Sequence, residues 1–255
     1  MGETRAADTT LTLAAEHAVG ALDFERVQRE YWDQNECVYL ERFLAPALVE
    51  SQLVPVVDRL RPEVHRAYLP GHKKSGSVSY YVLRDNAPVF LELYRAPVFL
   101  AFLSRLVEAP VMVCPGDDPH SCALYFYTEP GDHMGFHYDT SYYKGSRFTV
   151  LLGLIQRSEH CRLVCQLHKD SPGRPMRELR LAYGPGDLVI FNGNKLWHAV
   201  TPLAAGEERV VCTMEYVTNP EMAPHKRLFS NLKDAFGYFG LSVLFGPRRG
   251  SSTTR

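Results

Sequence analysis

The sequence predicts a mainly β fold, a barrel or double-sheet jelly roll that carries helices on its N-terminal side. Three observations lead there. Helical periodicity fills the chain up to about residue 110, short β-rich segments follow to about residue 218, and turn chemistry separates those segments at close spacing. In chain order, Phe24, Val27 and Tyr31 share one helical face, apolar residues recur every three or four positions from Ala47 to Leu60, and the same spacing returns from Pro88 to Val107. Strands are expected at Cys122–Tyr127, Phe148–Ile155, Arg162–Leu167, Asp187–Phe191 and Val210–Val217, which are rich in β-branched and aromatic residues. Glu129-Pro130-Gly131-Asp132, Ser171-Pro172-Gly173 and Gly184-Pro185-Gly186-Asp187 supply turns between them. A last helix is expected over about 223–240, where Leu228, Leu232, Phe236 and Phe239 have the spacing of a packing face. The expected organisation is a loosely held segment 1–18, one domain over 19–248 and a loose tail 249–255. That domain has a helical part 19–108, a β core of about 110–218 and the last helix.

Composition narrows the function classes. With 255 residues the chain suits one ordinary domain, and 45% hydrophobic with 22% charged residues is a globular profile. Lys and Arg (28) almost balance Asp and Glu (29), so no global field draws in a phosphate backbone, and no nucleic-acid partner is expected. Lys73-Lys74, Lys226-Arg227 and Arg248-Arg249 read as solvated surface. The longest apolar run, Val89 to Val107, is broken by Glu92, Arg95, Pro97 and Arg105, well short of the roughly 18–20 clean residues of a membrane span. The first ten residues lack the basic-then-apolar order of a signal peptide, and the six cysteines read as reduced thiols, so a cytoplasmic location is expected.

The candidate chemistry lies in the β-rich half. In Gly135-Phe136-His137-Tyr138-Asp139-Thr140, an extended backbone sends His137 and Asp139 to one face. Leu196-Trp197-His198 offers a second imidazole about sixty residues later. Two His and one carboxylate make a facial triad for non-haem iron. A lone His-x-Asp occurs by chance in many chains, and its neighbours give it weight here. Eleven residues after His198, Arg209 opens the apolar run Val210–Val217. A guanidinium on a core strand demands an anion, and its planar fork suits a carboxylate. Upstream, Tyr125 and Tyr127 alternate with Leu124 and Phe126, which puts two phenols on one strand face.

These motifs together resemble those of the Fe(II)- and 2-oxoglutarate-dependent dioxygenases, in the version shared by prolyl hydroxylases and phytanoyl-CoA hydroxylases. The matching order is Tyr-x9-His-x-Asp ending in His137 and Asp139, then Phe148 to Leu154, then Pro185-Gly186-Asp187-Leu188-Val189-Ile190-Phe191 leading to His198, and finally Arg209. It covers about residues 122–217, and Glu41-Arg42-Phe43-Leu44 before an amphipathic helix is similar to the family's entry. The resemblance implies a cupin-like double-stranded β-helix. It implies Fe(II) held by His137, Asp139 and His198, 2-oxoglutarate gripped by Arg209 with help from Tyr125 or Tyr127, and O2 as further cosubstrate. The implied reaction hydroxylates an unactivated C–H bond and releases succinate and CO2. Asp139 stands where related halogenases have Ala or Gly, which makes hydroxylation the default.

Gly131–Tyr143 and Thr218–Met222 are most similar to the freestanding amino-acid hydroxylases and halogenases, which implies a small polar substrate, a free amino acid or a derivative. Arg157 to Leu167 replaces the small, Gly-rich stretch that the family has after its first core strand. Substrate-pocket candidates are His133, Thr140, Tyr142, Tyr143, Arg84, Arg162 and Trp197, each near the triad in sequence or in a loop expected to cover it. Against this, Trp197 suits a core and the two tyrosines a rim. His160, Cys161, Cys165 and His168 match no usual zinc spacing. Desaturation or cyclisation on the same scaffold, and a cupin-like metal-binding module without turnover, remain the alternatives. The aromatic face of the last helix serves either packing within one chain or a homodimer.

Overall fold

The computed structural model describes residues 10–115, 118–139 and 142–222. Thr140, the helix expected over 223–240 and the tail 249–255 lie outside them. Seven helices and twelve strands follow one another among the described residues. Helix α1 (Thr10–Ala21) and α2 (Phe24–Asp33) lead into β1 (Cys37–Leu40). The side chain of Asp23 caps α2 by accepting from the Arg26 backbone N–H at 3.1 Å. Next, α3 (Pro46–Leu48) passes through a π-helical turn, Val49–Leu53, into α4 (Val54–Arg59). A hairpin of β2 (His65–Leu69) and β3 (Lys73–Val78) precedes α5 (Tyr80–Asn86), α6 (Val89–Arg95) and α7 (Pro97–Leu106). The remaining strands are β4 (Met112–Val113), β5 (Cys122–Tyr127), β6 (His133–His137), β7 (Arg147–Arg157), β8 (Leu163–Leu167), β9 (Arg177–Leu181), β10 (Leu188–Asn192), β11 (Trp197–Val200) and β12 (Glu208–Val217).

Two antiparallel walls make the jelly roll. The first runs β1-β10-β7-β12-β5 and the second β6-β11-β8-β9. Strand β3 joins them, pairing Gly76–Val78 with β5 and Lys73–Lys74 with β6. Strand alternation then sorts the side chains. On β12, Val210, Cys212, Met214 and Tyr216 turn outward into one core with Phe99, Phe102, Leu103 and Leu106 of α7. A second core lies between the walls, with Tyr125, Tyr127 and Val211 from the first and Leu163, Cys165 and Val200 from the second. Each fully buried large apolar side chain contributes roughly 1.5–3 kcal/mol relative to exposure.

The Pro185-Gly186-Asp187 turn is a clamp on the entry segment. Gly186 has φ +86°, and a Cβ there would collide with the Leu44 carbonyl. Asp187 accepts from the Arg42 backbone N–H at 2.7 Å, the Tyr39 hydroxyl at 2.8 Å and the Gly184 backbone N–H at 2.7 Å. This ties β1 and its following loop to β10.

Three expectations need correction. Lys73, read as solvated surface, is buried at 0% exposure. Residues 10–18 are held, since α1 begins at Thr10 and buries Leu11 and Ala15 in the helix-side core. The part 19–108 is not purely helical, since it contains β1 and the β2–β3 hairpin. Lys73-Lys74-Ser75-Gly76-Ser77-Val78 has no apolar alternation to announce a strand, because its pairing with β5 and β6 is long-range.

Candidate metal and cosubstrate site

His137 closes β6 and His198 lies opposite it on β11 in direct register. Their rings sit 4.3 Å apart, centroid to centroid. Asp139 follows two residues past His137, just beyond the strand, where its backbone N–H donates to the Gly193 carbonyl at 2.9 Å. One ligand atom from each of the three residues lies within 4.8 Å of the others. Asp139 Oδ1 is 3.4 Å from His137 Nε2 and 3.8 Å from His198 Nε2. This is the only such group of potential metal ligands among the described residues.

Hydrogen bonds fix which imidazole nitrogens face the centre. His137 Nδ1 donates to the Gly135 carbonyl at 2.8 Å, and His198 Nδ1 donates to the Leu196 carbonyl at 3.0 Å. A carbonyl only accepts, so each Nδ1 carries a proton and each Nε2 is turned toward Asp139, where a neutral ring presents its lone pair. Burial, with Asp139 opposing and His137 assisting, pushes the His198 imidazole down to about 4, so it is neutral at pH 7. Burial works against ionisation of Asp139, yet the positive charge that His198 gains at acid pH, with His137 and the Arg147 guanidinium, holds its carboxyl well below the usual range. Two imidazoles, with His198 neutral, and one carboxylate are a donor set that suits a divalent iron.

A polar shell orients Asp139. The Thr149 hydroxyl donates to Asp139 Oδ2 at 2.6 Å and also lies 3.0 Å from Glu215 Oε2. Arg147 Nε donates to the same Glu215 oxygen at 2.8 Å. Gly193 leaves room for the ligand: a Cβ there would stand 2.7 Å from the Asp139 Cβ. Sequence reasoning missed Thr149, Glu215 and Gly193, which carry no motif of their own.

Arg209 occupies the other end of the same cavity. It faces Tyr127 across the β12–β5 ladder and is 1% exposed. Among the described residues, Nε, Nη1 and Nη2 find no hydrogen-bond acceptor. The guanidinium carbon instead lies 5.2 Å from the Tyr127 ring and 4.7 Å from the Tyr183 ring. Tyr183 is buried beside Arg209, and its hydroxyl has no hydrogen bond of ordinary length among the described residues. A shut-in cation with unused donors beside an unused phenol is a cradle for an anion of matching shape. Tyr183 was not singled out from sequence, and its position one residue before the Gly184-Pro185-Gly186-Asp187 turn was the available signal. Tyr125 lies further along the same cavity, opposite Val211, with its hydroxyl 3.0 Å from His120 Nδ1.

The cavity, of about 110 Å³, is lined by the triad, Arg209, Tyr125, Tyr127, Tyr142 and Tyr143 among others. Four pocket candidates are not brought to it. Trp197 turns to the outer side, where it meets Phe136, Tyr138 and Lys169, because strand alternation sends its neighbour His198 inward. Arg84 pairs with Asp85 beside it, Arg162 donates to the Ser158 carbonyl, and His133 Nδ1 engages the Gly131 carbonyl. Against zinc, His160 pairs with Glu207 while Cys161 and Cys165 are buried between the walls.

No protein-family model and no curated protein sequence matches the chain. Solved structures do. The epimerase SnoN of nogalamycin biosynthesis, in complex with Fe3+, alpha ketoglutarate and nogalamycin RO, superposes with a TM-score of 0.65 at 16% identity, covering 91% of this chain and 93% of that one. The non-heme alpha ketoglutarate dependent carbocyclase SnoK, also of nogalamycin biosynthesis, gives 0.62 at 14% identity, covering 83% and 91%. A prolyl hydroxylase from Trichoplax adhaerens, in complex with a hypoxia inducible factor peptide fragment, gives 0.55 at 13% identity, covering 88% and 98%. The fold of this chain is that of the 2-oxoglutarate/Fe(II) oxygenases.

Proposed function

We propose that the chain is an Fe(II)- and 2-oxoglutarate-dependent oxygenase that hydroxylates a C–H bond of a small polar molecule, a free amino acid or a close derivative, with release of succinate and CO2. One observation carries the reading: a three-residue metal-ligand group shares one cavity with a buried guanidinium that has no hydrogen-bond partner among the described residues. A protein without a carboxylate ligand gains nothing from a charge shut in as Arg209 is, since that burial costs several kcal/mol. This favours a dicarboxylate cosubstrate over a bare metal-storage module.

His137, Asp139 and His198 would hold the iron, and Arg209 with Tyr127 and Tyr183 would hold the distal carboxylate of 2-oxoglutarate. With O2, that cosubstrate and iron supply an oxidant able to break an unactivated C–H bond. The chain's own residues do the rest. Backbone carbonyls at Gly135 and Leu196 hold the two rings in the ligand tautomer, and Thr149 fixes one oxygen of Asp139 so that the other faces the centre. Three protein ligands would leave iron positions for cosubstrate and O2, and the Asp139 carboxylate would take one that a halide could otherwise fill.

The test is turnover under air with Fe(II), 2-oxoglutarate and a panel of free amino acids, followed by succinate detection and product mass. Succinate with gain of one oxygen in the product supports hydroxylation. Loss of two hydrogens instead marks desaturation or ring closure, the second reading, favoured by the presence of a carbocyclase among the similar structures. Retained turnover in His137→Ala overturns the metal assignment.

A further inference from the structure

The far end of the cavity carries charges that the cosubstrate does not use. On β12, Arg209, Val211, Thr213 and Glu215 all face the lumen. At about 3.3 Å per residue, Arg209 and Glu215 stand roughly 20 Å apart along the strand. Thr149 links Glu215 to Asp139, so the triad lies toward the Glu215 end, and the space beyond it belongs to something other than the anion at Arg209. Arg147 and Asp118 border that space.

Both groups are set in place with capacity to spare. Arg147 gives Nε to Glu215, and its Nη1 and Nη2 make no hydrogen bond among the described residues. Glu215 thus acts as a positioning residue, a counter-ion that aims the fork. Asp118 is 7% exposed and accepts from the His120 backbone N–H at 2.9 Å and the Tyr143 hydroxyl at 2.7 Å. A carboxylate has about four acceptor sites, so two remain. Arg147 and Asp118 feel each other's charge yet form no ion pair. Two opposite charges facing one cavity without closing on each other suit a ligand that carries both complements on adjacent atoms.

We infer that Arg147 and Asp118 form the head-group subsite of a free α-amino acid, with Arg147 taking the carboxylate and Asp118 the ammonium. This rests on the proposed function above and sharpens it: the substrate enters as a zwitterion, neither acylated nor esterified. A peptide-bound residue presents at most one of the two charges and is excluded.

Calorimetry under argon tests this with protein loaded with Fe(II) and 2-oxoglutarate, titrated with each of the common L-amino acids and then with the N-acetyl and methyl-ester forms of the tightest binder. The expected result is that at least one amino acid binds and that each blocking group weakens it tenfold or more. Asp118→Asn is expected to abolish the preference for the free amine over the N-acetyl form, and Arg147→Met the preference for the acid over the ester. The blocked-ligand series on the unaltered chain decides the matter even where Arg147→Met fails to fold. Binding of blocked and free forms alike, or no amino acid binding to protein that has taken up 2-oxoglutarate, overturns the subsite and leaves the oxygenase reading intact. Failure to take up 2-oxoglutarate overturns both.

Discussion

Replacing Arg209 by Met separates what a buried guanidinium costs from what it gives. In the ligand-free chain, three nitrogens are enclosed at 1% exposure by two tyrosine rings and the Cys161 thiol, with no carboxylate beside them among the described residues. An uncompensated buried charge destabilises by several kcal/mol. Two parallel charge-assisted hydrogen bonds to a carboxylate return roughly 1.5–3 kcal/mol each. Arg209→Met removes both. Without ligand, the variant is expected to melt at the same temperature as the parent or higher. Its affinity for 2-oxoglutarate is expected to fall by about 3–6 kcal/mol, two to four orders of magnitude. In the parent, 2-oxoglutarate at 100 times its Kd stabilises the fold by about 2.7 kcal/mol. For a chain of this size that is a rise in midpoint of roughly 5–10 °C. Scanning fluorimetry with and without 2-oxoglutarate, under argon with Fe(II), reads both effects. A variant that melts several degrees lower without ligand and keeps the full ligand-induced rise would refute the reasoning.

Other consequences concern the metal ligands. Thr149→Val removes the hydroxyl that fixes Asp139 and is expected to weaken metal binding about 10–100-fold, with Thr149→Ser close to the parent, as read by competition with a chelating dye. Gly193→Ala pushes a methyl against the Asp139 Cβ and is expected to weaken metal binding at least about tenfold, comparable with loss of an outer partner, in the same assay. The pH dependence of the metal-free protein has a definite sign. The unfolded chain protonates His198 near its ordinary 6.5, whereas the folded one holds it neutral down to about 4. Stability therefore falls as pH drops from about 6.5 to 4, by on the order of 3 kcal/mol, and His198 contributes no slope above that window. Asp139, whose folded value is depressed, loses its contribution only at lower pH. Urea unfolding across this range checks the slope, and His198→Gln is expected to flatten it.

What the sequence made legible follows the reach of local physics. A short β-rich run marked β5 at Cys122–Tyr127, which is buried on both faces, and period 3.6 marked α2 through Val27 and Tyr31, which buries one face. His137, Asp139, His198 and Arg209 stood out because their residue types conflict with the apolar runs around them. The β2–β3 hairpin did not, since its partners are distant in sequence. Thr149, Glu215, Asp118 and Tyr183 were illegible as site residues because an ordinary polar residue on a strand gains its meaning only from the side chain that folding sets beside it. Trp197, Arg84 and Arg162 show the converse error, in which nearness along the chain was taken for nearness in space.

An anaerobic titration of Fe(II) into the protein with 2-oxoglutarate tests the central claim most directly, because the visible charge-transfer band of an iron-bound keto acid reports metal and cosubstrate at one place. The account predicts a band that saturates at one iron per chain, vanishes in His137→Ala, and in Arg209→Met requires at least about a hundredfold more 2-oxoglutarate, the lower end of the energies above. Iron binding with no band, or a band indifferent to His137 and Arg209, would contradict it.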